Sequence, residues 1–243
     1  MSETQVMALL DHLADQGKVV NFWLRDDDAV LPTPALDRLL TLTRTAGVPL
    51  TLAVIPEQTG QPLVDCLRGE PHVAVAVHGW SHRNHAPPQA KNQELGLHRP
   101  IDEVLGELKH GLEKLDALHG PQFLSMLVPP WNRIAPEIVE RLPALGFGSL
   151  SVFGREKPAP LPVLNTHIDI MDWRGTRGGH PSEVLFGDIL AYLESDQPVR
   201  AIGVLTHHLV HDEQAWAFLE RLFERTAGHP ACRWAAAADL IGN

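Results

Sequence analysis

The sequence predicts a distorted (β/α) barrel of seven or eight mostly parallel strands, and three observations point to it. Short runs rich in Val, Ile and Leu alternate with longer segments whose apolar residues recur at helical spacing, the pattern of βα units around a parallel sheet. Seven or eight such runs within 243 residues suit a closed or distorted barrel better than the alternative, a doubly wound open sheet. Five polar clusters each follow one of the predicted strands, on the rim where parallel α/β folds carry their chemistry.

The elements follow in order. Ser2-Glu3-Thr4-Gln5 reads as a capping box opening a helix with Val6, Leu9, Leu10 and Leu13 on one face. Val19 to Leu24 reads as the first strand. Thr33-Pro34, an N-cap followed by proline, opens a helix through Leu36, Leu39, Leu40 and Leu42 that ends at Gly47. Leu50 to Ile55 predicts a strand, Pro62 to Arg68 a short helix, and Val73 to Val77 a strand. Ile101 to His119 predicts a long helix, Phe123 to Val128 a strand, and Pro136 to Leu145 a helix stopped by Gly146. A strand near Leu150 to Phe153, an extended run from Val163 to Ile170, a helix over Ser182 to Leu193, a strand over Ala201 to Leu205 and a helix over Asp212 to Thr226 complete the alternation. The polar stretches His82 to Pro100 and Gly175 to Gly179 read as loops over one face. With no repeat and no long linker, residues 1–243 are expected to form a single domain.

Composition narrows the function. The chain is 44% hydrophobic and 21% charged, which excludes a disordered or fibrous protein. A net charge of −10 argues against nucleic acid as a partner. Cys66 and Cys232 cannot build a disulfide framework or a cysteine-rich zinc site. No run approaches the roughly 20 apolar residues of a membrane helix, and the start, with Glu3, Asp11 and Asp15, does not read as a signal peptide. A cytoplasmic location is therefore expected. Fourteen histidines stand out.

The clusters are Asp26-Asp27-Asp28, His78-Gly79-Trp80-Ser81-His82, Pro129-Pro130-Trp131-Asn132, Asp169 to Trp173, and Thr206-His207-His208. Three adjacent aspartates are costly without a cation; strand alternation puts Asp26 and Asp28 on one side and Asp27 on the other. His78 and His82, four apart, could share one ion if a helical turn follows the strand. With one carboxylate they complete a three-ligand set for a catalytic zinc with an open position; the same set serves non-haem iron. Pro129-Pro130 predicts an extended, rigid path that brings Trp131 to the rim. Each cluster alone also has a plain structural reading: a solvated turn, a chance histidine pair, a packing tryptophan, a core histidine.

In this order the clusters resemble the five motifs of the polysaccharide deacetylase family (the NodB-homology domain), metal-dependent deacetylases on a distorted (β/α) barrel. The resemblance spans roughly Phe22 to Asp212. It implies that Asp27 is a catalytic base and Asp28 a metal ligand, with a register one residue earlier as the alternative, and that His78 and His82 complete the ligand set. Gly79 stands where the family has a hydroxyl residue. Pro129-Pro130-Trp131 matches the third motif, but Val128 stands where an arginine is expected; Arg25 and Arg133 are the candidates to replace it. Asp169, Asp172 and Trp173 match the fourth motif. Leu205-Thr206-His207 matches the fifth, with His208 the competing acid.

The resemblance further implies hydrolysis of an acetamide at one divalent ion, with zinc the expected metal. Asp27 would take the proton of the attacking water and His207 would protonate the departing amine. The Trp131 backbone N–H would aid the oxyanion, Pro130 would support it, Asp172 would orient a neighbouring group, and Trp173 would wall an acetyl-sized pocket. The expected substrate is a small molecule or an oligosaccharide. Rival readings are a metal-dependent oxygenase, a non-catalytic metal-binding relative, and a hydrolase of another C–N amide.

Overall fold

The computed structural model describes residues 2–242. The chain folds as α1 (Ser2–Asp15), β1 (Val20–Ala29), α2 (Pro34–Ala46), β2 (Leu50–Val54), α3 (Gln61–Leu67) and β3 (Val73–His78). It continues as α4 (Ile101–His119), β4 (Phe123–Val128), α5 (Pro136–Val139), α6 (Leu142–Leu145), β5 (Ser149–Leu150) and β6 (Ile168–Asp169). The last elements are α7 (Ser182–Leu193), β7 (Ile202–Thr206), α8 (Glu213–Thr226), β8 (Cys232–Trp234) and α9 (Ala237–Ile241).

Every pairing between these strands is parallel, in the order β5-β4-β3-β2-β1-β7-β6, with β8 beside the start of β1. One extended segment spans the gap between β5 and β6. Leu164 N–H donates to Leu150 O, Thr166 N–H to Val152 O, and His167 N–H to Gly203 O of β7. The sheet therefore curls into the distorted barrel that the alternation predicts.

Strand alternation sorts the core into two shells. Phe22, Leu24, Leu52, Val54, Val75 and Val77 pack outward with apolar residues of the helices, including Leu36 and Leu39 of α2 and Phe218 and Leu222 of α8. Trp23, Ala53, Ala76, Met126 and Val128 face the interior, where Ala235, Ala237 and Leu240 join them. The small side chains of β2 and β3 leave the interior room for a large side chain from β1 further up, and Arg25 takes it, fully buried.

The boundaries follow local chemistry. Thr33 Oγ1 caps α2 by accepting from Leu36 N–H at 3.0 Å, and Gly47 ends the helix at φ 67°. Ser2 does not form the expected capping box; its N–H and hydroxyl both donate to Glu183 of α7, at 3.0 Å each. The helix expected over Pro136 to Leu145 breaks in two, because Pro143 has no N–H to donate to the carbonyl one turn back. The first strand is longer than expected and carries all three aspartates. β8 and α9 were not anticipated. Among the described residues no helix is long and apolar enough to cross a membrane.

Candidate metal and catalytic site

The carboxyl ends of the strands open into a cavity of about 560 Å³. Asp27, Asp28, His78, His82, Trp131, Trp173 and His207 line it, with Asn132, Arg133, Phe153, Asp169 and Arg174. Residues from six separate parts of the chain thus meet in one place.

Asp28 departs from simple strand alternation. The β1–β2 register shifts between Asp26 and Ala29, and Asp28 has φ 72°, a left-handed conformation that aspartate tolerates better than most residues. The bulge turns Asp28 into the cavity beside Asp27, while Asp26 points to the outer shell. The expected pairing of Asp26 with Asp28 on one side is therefore corrected.

His78 and His82 also meet without the expected helical turn. Gly79 at φ 59° and His82 at φ 57° reverse the chain in a tight left-handed bend. The rings lie 5.1 Å apart, and both Nε2 atoms converge on Asp28 Oδ1, at 3.1 Å from His78 and 3.2 Å from His82. One donor atom from each of these three residues lies within 4.8 Å of the other two. Two ligands bound tetrahedrally to zinc at about 2.0–2.1 Å stand about 3.3 Å apart, so the set fits such an ion. His78 Nδ1–H donates to Val128 O at 2.9 Å, which leaves Nε2 as the lone-pair donor facing the cavity.

The electrostatics agree. Burial pushes the Asp28 carboxyl up, but the hydrogen bond and charge of His78, with the charges of His207 and His82, hold it well below the usual range. Burial disfavours the charged form of His78, yet Asp27 and Asp28 raise it overall. Burial and the charge of His78 lower His82. Metal ligands of these types bind in their deprotonated forms, an ionised carboxylate and neutral imidazoles.

Asp27 is held from below. Arg25 Nε donates to its Oδ1 at 2.9 Å and Nη2 to its Oδ2 at 3.0 Å; the same guanidinium reaches Ser151 Oγ at 2.7 Å and Asn132 Oδ1 at 2.8 Å. Of the two arginines considered for the position that Val128 occupies, Arg25 is the one that reaches Asp27. Arg133 instead donates to Asn92 O at 2.7 Å, on the rim.

The third cluster is not extended. Pro130–Asn132 forms a tight turn in which Trp131 and Asn132 both have φ 56°. The Trp131 ring stands 4.3 Å from that of His82. Pro130 is buried behind it, next to Gly79. Across the cavity Trp173, 45% exposed, donates from Nε1 to Asp169 Oδ2 at 2.8 Å and meets the His207 ring edge-on at 4.7 Å. Burial raises the Asp169 carboxyl.

The geometry separates two pairs of neighbouring candidates. Asp172 does not line the cavity: its carboxylate accepts from Gly175 N–H at 2.8 Å and Thr176 N–H at 3.0 Å, closing its own loop. Asp169, three residues earlier, is the carboxylate that faces the site. His208 is buried in the outer shell against Asp26, so of the two histidines only His207 lines the cavity.

Glu94 was missed altogether. It is buried, and its carboxylate accepts from Ser81 N–H at 2.7 Å, Ser81 Oγ at 2.9 Å and Trp80 N–H at 3.3 Å, fixing the bend that carries both histidines. A single acid in a polar loop gives no signal in the sequence. Asn132 and Ser151 were likewise invisible as partners of Arg25.

No protein-family profile matches the chain, and no curated protein matches it. Solved structures do. A polysaccharide deacetylase structure from Mycobacterium smegmatis superposes with a TM-score of 0.70 at 16% identity, covering 93% of this chain and 90% of that one. The peptidoglycan N-acetylglucosamine deacetylase Bc1960 gives 0.63 at 16% identity, over 93% and 89%. A family 4 acetyl xylan esterase from Clostridium thermocellum, solved with a cobalt ion, gives 0.55 at 11% identity, over 91% and 90%. This chain therefore has the distorted barrel fold of the polysaccharide deacetylases and family 4 carbohydrate esterases.

Proposed function

We propose that the chain is a divergent member of the polysaccharide deacetylase family, a metal-dependent hydrolase that removes an acetyl group from an amino sugar or a related small amide. The observation that carries this reading is the convergence of His78 and His82 on Asp28 beside Asp27, whose carboxylate Arg25 grips. The structural neighbours support it: they include a peptidoglycan N-acetylglucosamine deacetylase and an acetyl xylan esterase.

Asp28, His78 and His82 would hold the ion, with zinc the expected one. When bound, such an ion supplies Lewis acidity for an acyl carbonyl and makes water acidic near neutral pH. The remaining work falls to the chain. Asp27 accepts the proton of the attacking water, held in orientation by the Arg25 fork. His207, at the end of the neighbouring strand β7, donates a proton to the leaving nitrogen, because an amide anion is a very poor leaving group. Trp131 offers its backbone N–H near the acyl oxygen, and Trp173 and Phe153 present exposed aromatic faces to the bound substrate.

The missing arginine before Pro129 would favour a relative without catalysis; the two bonds from Arg25 to Asp27 weigh against that reading. The reading includes a small-molecule or oligosaccharide substrate, a single domain and a cytoplasmic setting. It is tested by assaying acetate release from N-acetylated sugars and small acetamides with and without chelator. Chelator-sensitive release supports it; no release from any member of the panel by zinc-loaded protein counts against it.

A further inference from the structure

We infer that Asp26 is a positioning residue for His207: from outside the barrel wall it fixes the peptide group that follows His207 and so holds that imidazole over the cavity. This rests on the reading of His207 as proton donor.

Asp26 lies opposite Thr206 in the β1–β7 ladder, and its carboxylate is fully buried. It takes no part in the cavity. Its Oδ2 accepts from Thr206 Oγ1 at 2.6 Å and from His208 N–H at 2.9 Å, and Oδ1 pairs with His208 Nδ1. All three donors belong to the two residues that flank His207. On the other side, His207 N–H donates to His211 Nε2 at 3.2 Å.

Both peptide groups around His207 are thus tied to side chains, at φ −144° and ψ 80°. The imidazole has no comparable hold of its own. Its buried Nδ1 has no hydrogen-bond partner, and its ring contact is the edge of Trp173. Backbone clamping therefore sets where the ring points. An apolar residue would fill the Asp26 position at lower cost than a buried carboxylate, so the three bonds to this turn are what the charge contributes. During amide cleavage the C–N bond breaks with its electron pair on nitrogen, and the proton of His207 forms the new N–H bond. A misplacement of about 1 Å in such a group costs on the order of 100-fold.

The test compares an N-acetylated sugar amide with p-nitrophenyl acetate, whose leaving group needs no proton, in zinc-loaded protein. Asp26→Asn should lose about 10- to 100-fold in kcat on the amide and about threefold or less on the ester, with zinc affinity unchanged. In the Asp26→Asn/His207→Ala double variant the amide loss should match that of His207→Ala alone, since residues acting as a unit are not additive. Thr206→Val and His208→Gln each remove one bond of the clamp and should show smaller losses of the same selectivity; they carry the test where Asp26→Asn does not fold. Crystal structures of the variants should show the His207 ring displaced from Trp173. Equal losses on both substrates, additive losses in the double variant, or an unmoved ring overturn the inference. A His207→Ala variant that itself slows both substrates alike removes the proton-donor reading instead, which separates the two failures.

Discussion

Arg25 and Asp27, two residues apart on β1, face each other inside the barrel, and the guanidinium holds the carboxylate through two hydrogen bonds of 2.9 and 3.0 Å. Both side chains are out of solvent. Removing one partner of such a pair leaves a buried charge without compensation, which costs about 3–5 kcal/mol. Arg25→Met should therefore lower unfolding free energy in urea by about that amount. Arg25→Met/Asp27→Leu should be more stable than Arg25→Met alone. A loss below about 1 kcal/mol, typical of an exposed pair, would contradict the pairing.

In the proposed mechanism the neighbours Asp27 and Asp28 have different parts to play. Asp27→Asn keeps the shape of the side chain but cannot accept a proton, so kcat on an acetamide should fall by about 10²- to 10⁴-fold while zinc binding persists. Loss of zinc in Asp27→Asn with retention in Asp28→Ala would put the register one residue off.

Gly79 is required by its surroundings. It has φ 59°, and a Cβ there would press into the Glu94 carboxylate and come within 2.7 Å of the Pro130 ring. A side chain at this position is therefore disfavoured, and Glu94 supports the bend through Ser81 and Trp80. Gly79→Ser should reduce stability by at least the roughly 1–3 kcal/mol of a strained backbone, read from thermal unfolding. Glu94→Ala should weaken zinc binding by about 10- to 100-fold, as loss of a ligand-orienting partner does. Unchanged zinc affinity in Glu94→Ala would remove Glu94 from the site.

His119 ends α4 in a buried position where neither ring nitrogen has a partner. Burial lowers its pKa. The unfolded imidazole takes up its proton near pH 6.5 and the folded one only at lower pH. The unfolded state thus binds more protons in that interval, and stability falls as pH drops below about 6.5. His119→Leu should raise stability by about 1 kcal/mol or more at neutral pH and flatten this acid limb in melts from pH 7 to 5. An unchanged acid limb would show that His119 is not buried as a neutral ring.

The barrel was legible because its long helices and strands carry strong periodicity: α4 spans Ile101 to His119, as its apolar spacing implies. The weak elements were not. β8 has three residues and leaves no periodic trace; the closing segment beside β5 reads as extended over Val163 to Ile170, but the strands it meets through isolated bridges cannot be read from its pattern. In the site, residue types and order pointed to Asp27, Asp28, His78, His82 and His207, but geometry did not follow from spacing. Left-handed residues at Asp28, Gly79, His82 and Trp131 turn the side chains in ways that strand and helix alternation cannot express. Partners that act across the fold, such as Glu94 on Ser81 or Asn132 on Arg25, exist only once the chain has closed.

The most direct measurement is the zinc content of the purified protein after equilibration with Zn²⁺ and removal of excess, in wild type and Asp28→Ala. About one ion per wild-type chain and almost none in Asp28→Ala is the expected result for a three-ligand site. No bound zinc in the wild type, or equal zinc in both proteins, would contradict a metal held by Asp28, His78 and His82.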